Sequence, residues 1–358
     1  TVVDICLVRV LDSSALSNKI LMYWINSPTI RNIISMQATG TTRRRITRKK
    51  LEAMEIPLPP LNEQIRIANK LDTLLAKVEA AQTRLDKIPT LLKRFRQSVL
   101  AVATSGELTA EWRLHSQAPK WEVILFEDLI LTSANGLAKR RGSEGKLITV
   151  LRLADFKNAK RVYGNERQII LDEKEQKKYA LMPADLLAIR VNGSVDLAGR
   201  FIEYQENKVE AYCDHFIRFR INTDMVLPKY ITYVTNEGEG RKYLKKSLST
   251  SAGQNTINQT SIKALQFSLP SLAEQKQIVR RVESLFTLAD SVEKQYQQAR
   301  QRTDKLTQSL LAKAFRGELV PQDPNDEPAE KLLARIQAER DKLKPAKKTR
   351  KPRRRSVL

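Results

Sequence analysis

The sequence holds only two cysteines, Cys6 and Cys213, and two histidines, His115 and His215, among its 358 residues. Two cysteines build neither a disulfide framework nor a zinc cluster, and they fit a reducing cytoplasm. Each histidine reads as a surface or strand residue. No apolar run approaches the roughly 20 residues that span a bilayer, and the first residues do not form a signal peptide. Acidic residues are the scarce charge, at 40 Asp and Glu against 63 Lys and Arg, which leaves a net charge of +23. An excess of that size points to a polyanionic partner. A membrane surface is the rival polyanion, and nucleic acid is the better fit.

Catalytic strings are missing as well. The nearest approach to the Asn/Asp-Pro-Pro-aromatic loop of an adenine methyltransferase is Asn26-Ser27-Pro28-Thr29, which does not fit. Gly142-Ser143-Glu144-Gly145-Lys146-Leu147 has the wrong spacing for a phosphate-cradling loop and lacks its hydroxyl. No His-Glu-x-x-His, no Cys/His zinc spacing and no Gly-x-Ser-x-Gly occurs, and no paired carboxylates with a nearby lysine suggest a nuclease.

What the sequence does have is a repeat. Leu58-Pro59-Pro60-Leu61-Asn62-Glu63-Gln64 returns as Leu269-Pro270-Ser271-Leu272-Ala273-Glu274-Gln275, at an offset of 211. The match runs without a gap to Gly106-Glu107-Leu108 and Gly317-Glu318-Leu319. It holds 15 identities in 53 positions, enough to treat the two stretches as copies. Upstream, Gly40 to Ile46 corresponds loosely to Gly253 to Ile257, and Asp4-Ile5-Cys6-Leu7-Val8 resembles Asp214-His215-Phe216-Ile217-Arg218. Val2 to Val8 reads as a strand. By this comparison the chain starts inside a domain, and its first residues are the end of a copy whose fuller form spans about 121–268.

Each copy closes with a long helix. Apolar residues fall at Ile67, Leu71, Leu74, Val78, Ala81, Leu85, Ile88, Leu92, Phe95 and Val99. Their alternating steps of four and three form the seam of a left-handed coiled coil. The second copy gives Ile278, Val282, Leu285, Ala289, Val292, Tyr296, Ala299, Thr303, Leu306 and Leu310, with Thr303 the exception. A shared register predicts that the helices pack on each other. Proline precedes each start, Glu63 or Glu274 sits in the first turn, and Gly106 or Gly317 marks the stop. Pro89 should kink the first helix. About 40 residues at 1.5 Å rise give a rod of roughly 60 Å. Between the helices, strands are expected at 147–153, 186–191, 199–204 and 216–221, with short helical stretches at 230–233 and 240–248. After Pro321 come a short helix around 329–342 and a basic run that reads as disordered.

The Pro-Leu-Pro-Pro-Leu-x-Glu-Gln opening, the long helix and the closing Ala-x-x-x-Gly-Glu-Leu resemble the conserved regions of type I restriction-modification specificity subunits. Lys93 to Leu100 and Ser309 to Leu319 carry the pattern closely, and the likeness covers nearly all of residues 40–340. It implies an α+β fold in which mixed α/β target-recognition domains are separated by two long antiparallel helices. The expected divisions are 1–57, the end of a first recognition domain; 58–108, the first spacer helix; 109–120, a linker; 121–268, a second recognition domain; 269–319, the second spacer helix; and 320–358, a short helix with a basic tail. The resemblance further implies a cytoplasmic, non-catalytic reader of a bipartite double-stranded DNA site. Two modification subunits, which methylate adenine, and restriction subunits would assemble around it. S-adenosylmethionine, ATP and Mg would belong to those partners, and no cofactor to this chain. Antiparallel helices of this length would separate half-sites by on the order of ten to fifteen base pairs.

Candidate DNA contacts follow the loops. Arg43-Arg44-Arg45-Ile46-Thr47-Arg48-Lys49-Lys50 has six basic residues in eight, for which a solvated basic loop is the plain alternative to a DNA contact. Its place in the second copy is taken by Gln254-Asn255-Thr256-Ile257-Asn258. Arginine reads guanine and Asn or Gln reads adenine in the major groove, so different polar groups in one loop suit two domains with different targets. Arg43, Arg44, Arg45 and Arg48, with Gln254, Asn255 and Asn258, are therefore candidates, phosphate being the commoner target of the cations. Arg190, Asn192 and Ser194 follow a strand in what could be a plain hairpin turn. Lys139 and Arg140 lie in a Gly-containing basic loop, and Arg152 is a further candidate. Trp24, Trp112 and Trp121 read as packing residues. Leu75, Leu91, Phe286 and Leu288 flank the seam, where they thicken the core or meet partner helices, and Leu332, Leu333 and Ile336 form another possible docking element. The rival functions are a DNA-binding regulator without enzyme partners, an enzyme in its own right, and a purely structural coiled-coil linker.

Overall fold

The computed structural model describes residues 5, 7–10, 12–41, 43–157 and 159–342. They divide into two compact units, one formed by Thr1–Ile88 with Lys294–Leu358 and the other by Pro89–Glu293. The fold is α+β. The helix Leu272–Phe315 contributes its first half to the second unit and its last half to the first.

The described part of the first unit is helical. Asn18–Ile25 starts where Ser17 accepts from the Lys19 amide, and Pro28–Gln37 starts on Pro28, which needs no amide partner there. Leu61–Leu85 runs antiparallel to the last half of Leu272–Phe315. Gln82 Nε2 donates to Asp304 Oδ1 at 3.0 Å and Arg300 Nη1 to Asp86 Oδ1 at 2.6 Å, while Ile67 and Leu71 pack with Leu311 and Ala314. Leu71 is fully buried there, so Leu71→Ala would cost about 2–5 kcal/mol. The helix Ala329–Lys342 covers the expected range, and the basic run after it lies outside the described residues.

The strand expected from Val2 to Val8 falls largely outside the described residues. Thr1 to Asp4 and Cys6 lie outside the described residues, and Ile5, Leu7 and Val8 are irregular and exposed. The counterpart, Phe216–Ile221, is a strand because it has neighbours on both sides, Ile130–Asn135 and Leu186–Ile189. The described residues of the first unit offer no such sheet.

The second unit contains the strands. A four-stranded antiparallel sheet runs in the order Ile130–Asn135, Phe216–Ile221, Leu186–Ile189, Phe201–Glu203. Successive side chains alternate faces. Leu186 and Ala188 enter one core with Phe126, Phe219 and Tyr230, while Leu187 and Ile189 enter another with Val150, Tyr204 and Tyr212. Both faces are buried, which explains a continuous apolar run where a half-exposed strand would alternate. Lys146–Leu151 lies between Glu210–Tyr212, parallel to it, and Gln168–Leu171, antiparallel. Glu122–Leu125 pairs with Gln266–Leu269. Helices Pro228–Asn236 and Gly238–Lys246 stand where short helical stretches were expected.

The first conserved helix is broken. Leu61–Leu85 ends and Ile88–Ser105 begins after two intervening residues, because Pro89 has no amide for the Leu85 carbonyl. Within the second unit Ile88–Ser105 pairs with the start of Leu272–Phe315. Val99, Leu100 and Ala103 share a core with Ile278 and Val282, and Arg96 donates to Asp290 and Glu293 at 2.7 and 2.8 Å. The seam is shielded at most positions, but Phe95, Val292 and Leu306 are more than one-third exposed. Thr303, its polar member, donates to the Ala299 and Arg300 carbonyls of its own helix.

The repeat is also a repeat of bonds. Gln64 donates to the Ala15 and Pro59 carbonyls at 2.9 Å and accepts from the Ser17 amide at 2.9 Å. Gln275 donates to the Met225 and Pro270 carbonyls at 3.1 and 2.8 Å and accepts from the Leu227 amide at 2.8 Å. Each glutamine ties its own helix start to the loop before a helix pair, Asn18–Ile25 and Pro28–Gln37 in one unit, Pro228–Asn236 and Gly238–Lys246 in the other.

Candidate nucleic-acid interface

After each helix pair the chain makes a polar turn. In the first unit Thr39 and Arg45 exchange backbone hydrogen bonds at 2.8 and 2.9 Å around residues 40–44. Gly40 opens this turn at φ +113°, and a Cβ there would lie 2.5 Å from the Arg43 carbonyl oxygen, so no other residue fits. Thr47 then caps Arg48–Glu52. In the second unit Ser249–Ser251 pairs with Gln254–Thr256 around Ala252 and Gly253, and Asn258 caps Gln259–Lys263. Arg43, Arg44 and Arg45 thus hold the turn positions that Gln254, Asn255 and Thr256 hold in the other copy. All three arginines are exposed, and Arg48 pairs with Glu52 at 2.6 Å.

The second unit brings together loops far apart in sequence. Val191–Asn192 pairs with Gln254–Thr256, placing Asn192 opposite Asn255. The result is a three-stranded ribbon with Ser249, Thr250, Ser251 and Gln254 exposed along it and Ser194 beside it. Asn192 Oδ1 accepts from the Ser194 amide at 2.8 Å, which closes that turn.

Not every candidate faces outward. Asn255 is buried, and its amide donates to the Asn192 and Gly193 carbonyls at 3.3 and 3.0 Å while accepting from Thr250. Its side chain joins the two turns instead of projecting to a ligand. Asn258 accepts from the Ser261 amide at 2.7 Å as a helix cap. The sequence did not single out Ser249, Thr250 and Ser251. Their signal was the Ser-Thr-Ser run before Ala252-Gly253, a hairpin with its turn residues.

Two of the remaining cations, Arg190 and Arg140, meet at Asp214, and Arg152 and Lys139 have other partners. Arg190 Nη1 donates to the Asp214 carbonyl at 3.3 Å, and Arg140 Nη2 reaches Asp214 Oδ2 at 3.4 Å. Arg152 follows a strand whose last carbonyl, on Leu151, accepts from the Cys213 amide; its guanidinium meets Asp155 at 3.1 Å and the Asn165 carbonyl. Lys139 pairs with Glu175 at 2.8 Å. Each cation is oriented by an acceptor and remains at least partly exposed, an arrangement suited to holding phosphates in register. Cys213, Asp214 and His215 are the one grouping of metal-ligating atoms among the described residues, within 4.8 Å of one another. Arg140 reaches the Asp214 carboxylate, and burial raises the Cys213 thiol pKa, which disfavours the thiolate that a metal would need. No described helix is long and apolar enough to cross a membrane.

Of the residues flanking the seam, Leu75 and Phe286 are half-buried against the cores of their units. Leu91 and Leu288 are 54% and 58% exposed.

Residues 1–90 and 149–301 match the family described as "Type I restriction modification DNA specificity domain". The chain is 52% identical over 334 residues to the StySPI type I restriction enzyme specificity subunit of Salmonella potsdam, covering 91% of this chain and 72% of the relative. It is 36% identical to the EcoKI specificity subunit of Escherichia coli K12, covering 89% and 71%. The fold is similar to that of the HsdS subunit from Thermoanaerobacter tengcongensis, with a TM-score of 0.51 at 20% identity, covering 84% of this chain and 70% of that one. It is also similar to a chain from a study of type I R-M complex assembly and conformational transition, with a TM-score of 0.60 at 19% identity, covering 86% and 73%. The chain belongs to the family of specificity subunits of type I restriction-modification enzymes, the components of those enzymes that recognise DNA and are not themselves catalytic.

Proposed function

We propose that the chain reads the two halves of a bipartite double-stranded DNA site, one through the Thr39–Arg45 turn and one through the ribbon formed by Asn192, Ser194 and Ser249 to Gln254. The observation that carries this reading is one hairpin-and-capped-helix framework displaying arginines in one copy and amide and hydroxyl groups in the other. A two-stranded ribbon such as the hairpin of Ser249–Ser251 and Gln254–Thr256 fits the major groove. Arginine there favours guanine and glutamine favours adenine, so the two turns would select different sequences. Arg140, Arg152 and Arg190, with Lys139, would set the register on the phosphates.

Around this reader the modification and restriction subunits would assemble. Leu91, Phe95, Leu288 and Val292 are exposed apolar side chains on the two paired helices of the second unit, and such side chains suit a partner helix. S-adenosylmethionine, ATP and Mg would then act on the partners. Co-expression with the modification subunit of the same host, followed by mass measurement of the complex and mapping of methylated adenines, tests the reading. Two modification subunits per chain and a split methylated site are expected. A chain that purifies alone yet binds duplex DNA would overturn the scaffolding role.

A further inference from the structure

Between Leu186–Ile189 and Phe201–Glu203 the chain makes an excursion that carries Asn192 and Ser194 on one side and the turn 195–199 on the other. The turn is closed by the Leu197 and Ala198 amides on the Ser194 carbonyl, both at 3.1 Å. Its larger apolar side chains, Val195 and Leu197, are nearly half exposed. Ala198 and Gly199 are buried, and the Gly199 amide donates to the Ile189 carbonyl at 2.8 Å, so the loop is anchored at that end while packing does little for Val195 to Leu197.

Polar groups from the neighbouring helices add a second set of ties. Arg241 is 4% exposed. Its Nη1 donates to the Ala198 carbonyl and its Nη2 to the Val195 carbonyl, both at 2.8 Å. Five residues earlier, Asn236 accepts from the Phe201 amide at 2.8 Å and donates to the Phe201 carbonyl at 2.9 Å. No carboxylate pairs with Arg241 among the described residues. Burial, reinforced by Arg200, pushes its pKa down to about 10. Keeping an unpaired cation buried is unfavourable, and filling space alone would be served by an apolar side chain. The rigid guanidinium fork is what allows two carbonyls to be held at once.

The repeat supplies a second observation. At the offset of 210 that relates the helix pairs, Asn236 and Arg241 correspond to Asn26 and Arg31. Arginine is the one identity across the ten positions from Pro28 and from Gly238. Asn26 donates to the Met22 carbonyl of its own helix, and Arg31 is exposed. The helix of the first unit does not need this arginine for its own packing.

We propose that Asn236 and Arg241 are positioning residues for sequence reading: they fix the backbone from Val195 to Phe201 and so set where Asn192, Ser194 and the paired hairpin meet the bases. This rests on the reading of the ribbon as a DNA-contacting surface. Neither residue reaches DNA itself, so the clamp acts on discrimination between sequences and not on attraction to phosphate.

The test is selection of bound duplexes from a random-sequence library, with sequencing, for the wild-type chain, Arg241→Met, Arg241→Lys and Gly199→Ala. Gly199 has φ +75°, and a Cβ there would lie 3.3 Å from Arg241 Nη1, so Gly199→Ala disturbs the same contact from the loop side. Arg241→Met and Gly199→Ala are expected to lose about tenfold or more of the preference at one half-site, on the scale of one lost base contact. The affinity for unselected duplex and its salt slope stay as in the wild type, and Arg241→Lys recovers part of the preference. Exchange of the amides from Ser194 to Phe201 should quicken in Arg241→Met. If Arg241→Met does not fold, Gly199→Ala decides alone. Wild-type preference in whichever of these variants folds would overturn the clamp. A wild-type chain that selects no sequence would instead overturn the DNA-reading function on which it rests.

Discussion

The two repeat glutamates, Glu63 and Glu274, occupy the same place in their helices, are both buried, and should respond oppositely to loss of charge. Glu274 Oε1 accepts from Thr109 Oγ1 at 2.6 Å and from Arg113 Nη2 at 2.7 Å, and Oε2 from Trp121 Nε1 at 2.9 Å. Burial alone would raise its pKa, but these donors outweigh it and the net shift is downward. Glu63 is raised by burial, with Arg66 only partly offsetting that effect. Glu274→Gln would turn an NH2 toward at least one of these donors and leave the Arg113 charge without its partner. Hydrogen bonds to charged groups contribute about 1.5–3 kcal/mol each, and breaking a buried pair costs about 3–5. Arg113 is 26% exposed, which softens the loss, so about 3 kcal/mol is expected. For a unit of this size that lowers Tm by about 6–12 °C. Glu63→Gln should cost less than about 1 kcal/mol or stabilise. The pH dependence separates them further. The contribution of Glu274 is complete above the unfolded carboxylate pKa near 4.5 and is lost as pH falls through its lower folded value. Glu63 works in reverse, its burden easing as pH falls through its raised folded pKa. Calorimetry of both variants at neutral pH and near pH 4 is the assay. Equal losses of stability in the two variants would refute the reasoning.

Replacing Arg43, Arg44 and Arg45 with alanine should weaken duplex binding and flatten the salt slope by up to about three, at about 0.9 per phosphate contact; an unchanged slope in a salt titration would show that they do not touch phosphate. Gln254→Ala should relax one half-site in a library selection without moving Tm. Asn258→Ala should lower stability by about 1 kcal/mol through its lost cap, visible in thermal melting, and leave the selected sequence unchanged. Leu91→Glu with Leu288→Glu should leave the melting curve of the chain in place while abolishing copurification of the modification subunit; retained partner would exclude this face. Val78→Glu buries an unpaired charge in the seam of the first unit and should cost about 3 kcal/mol or more, measured by denaturant unfolding.

The helices were the legible part of the fold, because a seam of period 3.5 and a repeated capping signal are written in every turn. Their ends were legible too, in Gly106 and Gly317 at φ +86° and +75°. The helix pair Asn18–Ile25 and Pro28–Gln37 was missed because both helices are short and their apolar residues carry no long period. The strand Phe216–Ile221 shows what composition leaves out. Composition reports strand propensity, while a strand exists only with a neighbour, and the neighbours of Phe216–Ile221 come from 130–135 and 186–189. Pairing of Asn192 with Asn255 was illegible for the same reason, since 63 positions separate the two. Asn255 and Asn258 could be located as polar residues in the right loop. Their side chains turn out to bond backbone, which amide side chains do as readily as they bond bases.

The bonds that repeat and the residues that differ belong to different kinds of contact. Gln64 and Gln275 hold carbonyls and amides of the preceding loop, and Asn236 and Arg241 hold carbonyls and an amide of another. Backbone groups are the same whatever the side chains, so these ties place few demands on the sequence of the loop they fix. The hairpin tips, by contrast, display Arg43 and Arg44 or Ser251 and Gln254 to solvent, where exchange of side chains costs little stability. A framework held by backbone bonds with exposed tips can change what it reads without changing how it folds. Exposed positions that should resist exchange are Gly40, where a Cβ would strike the Arg43 carbonyl, and Gly253, at φ +74°. Gly40→Ala should therefore disturb the turn and with it DNA binding, while Arg44→Gln, in the same turn, should leave the fold intact and change the DNA contact alone.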